Sequence, residues 1–168
     1  MPQLAFGLEL KSLTDKGEFE GLASTYGNCD SGNDVVEPGA FTKTLSASKE
    51  RPLLWQHSDP VGTVQLSDSP AGLMARGKFT LAVQKARETY ELMKDNAVKG
   101  MSIGYETIRS DYVGDVRHLR ELKLWEVSLT PTPMNELATV TGIKFAQIDS
   151  ISAALKELRS EVLQALKR

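Results

Sequence analysis

Apolar and polar residues alternate along much of the chain, as in strands that bury one face of a sheet. Phe6, Leu8 and Leu10 share one face of "AFGLELK", and "EFEGLASTYG" follows as a second strand after a turn at 15–17. The pattern predicts further strands at 51–57, in a hairpin with "SDSPAG" as its turn, at 101–110 and at 116–130. Pro131 and Pro133 are expected to end the sheet pattern.

Helical patterns are few before the last segment. Pro38 suits the first turn of a short helix in "EPGAFTKTLSAS", and residues 83–98 form a longer helical stretch. "NCDSGND" (28–34) has the composition of a loop. Many strands and few helices predict an α+β, mainly β fold, with a closed or nearly closed β-barrel surrounded by helices.

The last segment has a different period. "IDSISAALKELRSEVLQALK" places apolar residues at a/d spacing with charges elsewhere: Ile148, Ile151, Leu155, Leu158, Val162 and Ala165. We therefore expect one domain over 1–142, followed by an amphipathic helix within 143–168. The helix either packs on its own domain or binds a partner, and the pattern alone favours neither.

The composition of the chain disfavours several classes of function. A net charge of −2, with basic residues scattered along the chain, disfavours a nucleic-acid partner. No apolar run reaches 18 residues, so we expect no membrane span, and the N-terminus lacks the pattern of a secretory signal. One cysteine and two histidines do not suffice for an ordinary zinc site, and a single cysteine fits a reducing cytoplasm. We expect no metal and no cofactor.

"GMSIG" (100–104) matches the Gly-x-Ser-x-Gly pattern of the nucleophile elbow, which needs a strand before the serine and a helix after it. Here a helical stretch precedes and a strand follows, so the elbow interpretation fails. Ser102 remains a candidate nucleophile. On a strand, Gly104 shares its face, while Met101, Ile103 and Tyr105 point to the other. A glycine beside the serine would leave room for a substrate backbone.

A serine nucleophile needs a base and a group that orients the base. His57 ends the apolar "LLWQH", just before a turn expected at Asp59-Pro60, where a sheet can present a side chain; it could equally be a plain surface histidine. Glu126 or His118 could orient it, but about 26 Å of strand separates these two, so both cannot serve one site. Glu126 lies on a partly apolar face and needs a partner, either an imidazole or a Lys or Arg. His118 looks more solvated.

Cys29 is a rival nucleophile. It lies near Asp30 and Asp34, whose negative charges disfavour a thiolate. A thiol mechanism is therefore not expected.

Four stretches together resemble the prohead proteases of tailed phages, the capsid-maturation serine proteases related to herpesvirus assemblins. They are "EGLASTYGNCDSGNDVVEPGAFTKTL", "LLWQHSDPVGTV", "KGMSIGYE" and "LWEVSLTPTPMNELATV", spread over roughly residues 4 to 142. The resemblance implies His57 as general base, Ser102 as nucleophile and Glu126 as the third member. Assemblins use a second histidine there, which keeps His118 as the alternative.

The resemblance also implies the activity. It would be cleavage of the major capsid protein and its scaffold region, and of the protease itself, inside the immature capsid in the host cytoplasm. A homo-oligomer is expected. The alternative is a non-catalytic assembly or scaffolding module on the same fold. Met134 departs from the small residue usual before Asn135, and we assign it no consequence.

Overall fold

The structure is a computed structural model that describes residues 16–143. It contains eight strands and two helices within that range. The strands are β1 (Glu18–Thr25), β2 (Asp34–Val36), β3 (Glu50–Trp55), β4 (Asp59–Ser69), β5 (Gly72–Phe79), β6 (Gly100–Val113), β7 (Val116–Thr130) and β8 (Val140–Ile143). The helices are α1 (Thr42–Ala47) and α2 (Gln84–Lys94).

All eight strands belong to one sheet, in which the pairings run β2-β7-β3-β4-β5-β1-β8. Strand β6 pairs with β7 along the edge opposite to β2 and β3. The sheet curls strongly, so that the start of β6 lies close to the segment that leads into β8. Met101 N–H donates to the Ala138 carbonyl at 2.8 Å, and Val140 N–H donates to the Lys99 carbonyl at 3.0 Å. The result is a mainly β domain with a half-barrel sheet.

The longest strand, β7, organises the sheet. Along one edge it pairs antiparallel with β6, and along the other it pairs in parallel with β2 near its start and with β3 near its end. The parallel pairs are long-range in sequence: Leu53 pairs with Val127, for example. Strand β3 and the start of β6 therefore meet the carboxyl-terminal half of β7 from its two edges.

The core follows from the alternation that predicts the strands. Buried residues of β4 and β5 face the interior: Val61, Val64, Leu66, Leu73, Ala75 and Phe79. Helix α2 buries Ala86, Tyr90 and Met93, spaced on one helical face, and packs against these two strands. Helix α1 is tied to β7 through the Thr44 hydroxyl, which accepts the Leu124 N–H at 3.1 Å.

Most predicted elements are confirmed, including the β4–β5 hairpin and the two long strands around the turn at Gly114. The first helix begins at Thr42 rather than at Pro38. Glu37 to Ala40 instead form a turn, in which Gly39 has φ of +87° and Ala40 N–H donates to the Glu37 carbonyl. Pro38 does not start a helix here, because the residue that follows it, Gly39, has a positive φ that is not helical.

The expectation that Pro131 and Pro133 end the sheet is wrong, because β8 resumes it and pairs with β1. The strand predicted at 6–10 and the amphipathic helix of 148–168 lie outside the described residues. The domain limit predicted at residue 142 falls inside β8, which extends to Ile143. Within 16–143, no helix has both the length and the apolar content needed to cross a membrane.

Candidate active site

Three polar side chains come together on one face of the β6–β7 ladder. Ser102 is paired with Ser128, and Gly104 is paired with Glu126. Residues two apart on a strand share a face, and directly paired residues of antiparallel strands are neighbours on that face. Glu126, Ser128 and Ser102 therefore lie together on one face of this ladder.

The parallel partner β3 brings His57 to the same place from the other edge of β7. Leu54 pairs with Ser128 and Trp55 with Leu129, after which β3 ends. Gln56 N–H continues the ladder by donating to the Leu129 carbonyl at 3.1 Å, and His57 N–H turns to the Ser128 Oγ at 3.0 Å. The sequence could not reveal this, because the pairing joins segments more than 70 residues apart.

The turn that carries His57 is a tight one with unusual backbone angles. Gln56 and His57 have φ of +47° and +60°, in the left-handed region that costs about 1 kcal/mol or more for a residue with a Cβ. The turn lies at 56–58 rather than at Asp59-Pro60, which already belong to β4. Such backbone conformations persist only where the surroundings hold them, and they occur often at functional sites.

His57 and Glu126 are in direct contact, with 2.7 Å between Nδ1 and Oε1. The imidazole side chain is 49% exposed, whereas the carboxylate side chain is only 11% exposed. A carboxylate can only accept a hydrogen bond, so the proton of this contact belongs to the imidazole Nδ1. In a neutral imidazole with its proton on Nδ1, the Nε2 atom has the lone pair and can take a proton.

Ser128 completes this arrangement and was missed by the sequence analysis. Its hydroxyl donates to Glu126 Oε2 at 2.7 Å and accepts the His57 N–H, and the residue has no exposed surface. The available signal was its position two residues after Glu126 on a predicted strand, which places both on one face. Because it is completely buried, Ser128 is not itself accessible to a substrate.

Ser102 is half-buried and lies in the wall of a cavity of about 90 Å³. Its hydroxyl makes no hydrogen bond to any residue in the described range. The structure thus joins His57 to Glu126 directly and places Ser102 across Ser128 on the neighbouring strand. Hydrogen bonds between nucleophile and base are often long in unliganded enzymes and tighten when substrate binds.

Gly104 does not serve the purpose that the sequence suggested. A Cβ built at this position would lie 2.3 Å from Glu126 Oε1, so the missing side chain makes room for the carboxylate rather than for a substrate backbone. Gly100 is similarly constrained, since a Cβ there would lie 2.6 Å from Pro133 Cδ. The two glycines of "GMSIG" thus leave room for Pro133 and for the Glu126 side chain, which lie against β6.

His118 lies elsewhere on β7 and has a partner of its own. It pairs with Val35 of β2, and its Nδ1 lies 2.6 Å from Glu37 Oε1. Its side chain is 20% exposed, compared with 11% for Glu126, so the expectation that His118 is the more solvated of the two candidate third members is confirmed. The structure brings Glu126, and not His118, into contact with His57.

The cavity beside Ser102 lies between strands β1, β2 and β6 and two loops, and neither His57 nor Glu126 lines it. Its other lining residues are Ala23, Ser24, Asp30, Asp34, Val36, Met101, Ile103, Tyr105, Met134 and Asn135. Met134 is 52% exposed and lines this cavity, so the residue to which we assigned no consequence helps to form the wall beside the serine. Asn135 fixes the loop by donating to the Thr25 hydroxyl at 2.8 Å.

Asp34 is the most buried charged residue in the cavity wall, and Arg117 compensates its negative charge. Arg117 binds both of its carboxylate oxygens, with 2.8 Å between Nε and Oδ1, and the bond to Asp34 raises the pKa of Arg117. Burial, with the charge of Asp34 as a smaller cause, raises the pKa of Tyr105 to about 12. Tyr105 is thus a neutral hydrogen-bond donor at physiological pH, and its hydroxyl lies 3.3 Å from Asp34 Oδ2.

Other candidate groups lie apart from this cluster. Cys29 is exposed and does not line the cavity beside Ser102. A larger cavity of about 530 Å³ lies between α1, β6 and β7, and none of His57, Ser102 and Glu126 lines it. Among residues 16–143, no group of three or more His, Cys, Asp and Glu side chains could hold a metal ion.

A histidine held by a carboxylate, on the same β6–β7 ladder as a half-buried serine, supplies the kinds of side chain that a serine protease uses. The chain matches the family described as caudovirus prohead serine protease over residues 6–154. It therefore belongs to this family, and it is a serine protease by class. The match extends beyond residue 142, the end of the resemblance seen in the sequence.

Two individual proteins are similar to this chain, one in sequence and one in fold. The prohead protease of Enterobacteria phage HK97 is 31% identical over 156 residues, which cover 88% of this chain and 69% of that protein. The KSHV protease, solved with a hexapeptide phosphonate inhibitor, matches with a TM-score of 0.53 at 13% identity. That match covers 73% of this chain and 63% of the KSHV chain, so this chain spans somewhat less than two thirds of its structural relative. At this identity the likeness concerns the fold.

Proposed function

We propose that this chain cleaves capsid and scaffold protein during prohead maturation, by acyl transfer through Ser102, His57 and Glu126. The observation that carries the triad is the 2.7 Å contact between His57 Nδ1 and Glu126 Oε1. Family membership supports the class of substrate, because the matched family and the phage relative are both named for the prohead. The site would act inside the immature capsid, in the host cytoplasm.

In the first step, His57 Nε2 takes the Ser102 proton as Oγ attacks the scissile carbonyl carbon. Glu126 stabilises the imidazolium that forms, and backbone N–H groups stabilise the oxyanion. The imidazolium then gives its proton to the leaving amine, which departs and leaves an acyl-enzyme on Ser102. A water molecule, deprotonated by the same Nε2, hydrolyses the acyl-enzyme and restores the serine.

The proposal is tested by co-expressing the chain with its cognate capsid protein and measuring intact masses. Ser102→Ala should abolish cleavage of the capsid protein and labelling by a serine-directed phosphonate, with the melting temperature unchanged. His57→Ala should be about as damaging, and the double variant no worse than either, because nucleophile and base act as a unit. Cys29→Ser serves as the control and should cleave normally.

Cleavage by a folded Ser102→Ala protein would remove the assignment of the nucleophile. An intact capsid protein in the presence of wild-type chain, with no phosphonate labelling, would favour the alternative of a non-catalytic assembly module. Loss of activity in Cys29→Ser would revive the thiol as nucleophile.

A further inference from the structure

The Ser128 hydroxyl connects two parts of the proposed triad through a single atom. It lies 3.0 Å from the His57 backbone nitrogen and 2.7 Å from Glu126 Oε2. A backbone N–H can only donate and a carboxylate can only accept, so both directions are fixed. The one hydroxyl proton goes to Glu126, and an oxygen lone pair receives the His57 N–H.

The bond to Oε2 fixes the plane of the Glu126 carboxylate. The last torsion of a glutamate has a broad energy profile, so an unrestrained carboxylate rotates easily. With Oε2 held by Ser128, the other oxygen, Oε1, is directed at His57 Nδ1, where the contact is made. The absence of a side chain at Gly104 leaves this orientation the space it needs.

The bond from His57 N–H fixes the backbone beneath the imidazole. His57 has a φ of +60°, which is unfavourable for a residue with a Cβ, and its turn is otherwise exposed to solvent. The same oxygen therefore sets both where the ring begins and where its carboxylate partner points. A shift of either one would change the direction of Nε2.

We infer that Ser128 is a positioning residue, which holds His57 in the Nδ1–H tautomer and aims Nε2 towards Ser102. The inference rests on the proposed function of His57, Ser102 and Glu126. Ser128 has no exposed surface and touches no substrate, so its effect is transmitted through the other two residues. The hydroxyl group, rather than the volume of the side chain, carries the effect.

Threonine and valine at position 128 give a matched comparison, because they have the same shape and differ in the hydroxyl. Ser128→Val should lower the maximal rate of Ser102 phosphonylation about ten- to a hundredfold relative to Ser128→Thr, the factor expected for one lost hydrogen bond to a charged group. The inhibitor concentration at half-maximal rate should change little. If neither variant folds, Ser128→Ala is compared with the wild type instead.

A second measurement does not depend on reactivity. Nitrogen-15 shifts of the labelled imidazoles report the tautomer of each histidine in the resting protein. His57 should be in the Nδ1–H form in the wild type and in Ser128→Thr, and should become a mixture in Ser128→Val and Ser128→Ala. His118, which contacts Glu37 through Nδ1, is the internal reference and should not change. His118→Gln identifies its signals.

The two measurements separate the two proposals. If wild-type Ser102 is not labelled at all, the proposed function fails, while the His57 tautomer still tests Ser128. An unchanged tautomer in Ser128→Val and Ser128→Ala would overturn the positioning function. Equal phosphonylation rates in Ser128→Val and Ser128→Thr would also overturn it.

Discussion

Gly104 lies opposite Glu126 in the β6–β7 ladder, and a Cβ at Gly104 would approach Glu126 Oε1 to 2.3 Å. Oε1 is the atom that contacts His57 Nδ1. Gly104 is the last glycine of the Gly-x-Ser-x-Gly motif. Its lack of a side chain is therefore required by the Glu126 carboxylate on the neighbouring strand. Its neighbour two residues back is Ser102, the proposed nucleophile, and under the proposed function the contact of Glu126 with His57 needs position 104 to have no side chain.

Gly104→Ala should displace the Glu126 carboxylate and lower the rate of Ser102 phosphonylation by about 10²-fold, as misplacing a catalytic group by an ångström can do. Gly114→Ala is the control. It sits at φ +61° with nothing within 4 Å of its Cβ, so it should cost about 1 kcal/mol of stability and leave the rate unchanged. Equal rates for the two variants would contradict the steric coupling.

Glu126→Gln should lower capsid-protein cleavage by about 10²- to 10⁴-fold, because the amide loses the charge that stabilises the imidazolium. The amide can also donate to Nδ1 and so favour the wrong tautomer. His118→Ala removes a contact with Glu37 at a different part of β7, and should cleave at nearly the wild-type rate. Single-turnover cleavage rates of both folded variants make the comparison. If His118→Ala is the more damaged, the third member is the histidine.

The longer strands were predictable because they repeat a local pattern with a period of two, whereas β2, with three consecutive buried residues, and β8 lack it. The β4–β5 hairpin and the pairing of β6 with β7 follow from turn residues between neighbouring strands. The parallel pairing of β3 with β7 leaves no local signal, since it joins residues such as Leu54 and Ser128. That pairing is what brings His57 to Glu126.

The candidate site could be predicted residue by residue but not as an arrangement. Ser102, His57 and Glu126 were identified from the resemblance and from the need of a half-buried carboxylate for a partner. Ser128 was missed because a serine on a strand has no distinctive pattern. Gly104 was misread because its function depends on a residue across the ladder.

The Asp34–Arg117 pair in the cavity wall should be important for stability. Arg117→Ala leaves the Asp34 carboxylate, whose side chain is 9% exposed, without its charge partner, and should cost about 2 kcal/mol. Arg120 is the matched control. It is exposed to the same extent but pairs with Asp111, which is 53% exposed, and more distantly with Glu37, at 3.6 Å, so Arg120→Ala should cost clearly less stability than Arg117→Ala. Urea denaturation measures both, and equal losses would contradict the difference in burial.

The apolar stripe in residues 148–168 predicts a contact with something other than water. An isolated helix of this length is only marginally stable, and most helical stability in proteins comes from packing an apolar face. A protease that must be enclosed with its substrate needs a means of delivery, and we expect this segment to provide it. Because β8 extends to Ile143, a test must retain at least that residue.

A chain that ends at Gln147 should remain folded, keep Ser102 reactive towards the phosphonate, and enter proheads several-fold less than the full chain.

A milder test replaces Leu155 and Leu158 with aspartate, which removes the stripe without shortening the chain. Its control places the same two charges at Ser160 and Gln164, outside the stripe. Melting temperature, labelling and the amount of protease in purified proheads are measured for all three. Normal incorporation of the Leu155 and Leu158 variant would exclude delivery by the stripe, and loss of folding would show that the segment belongs to the core.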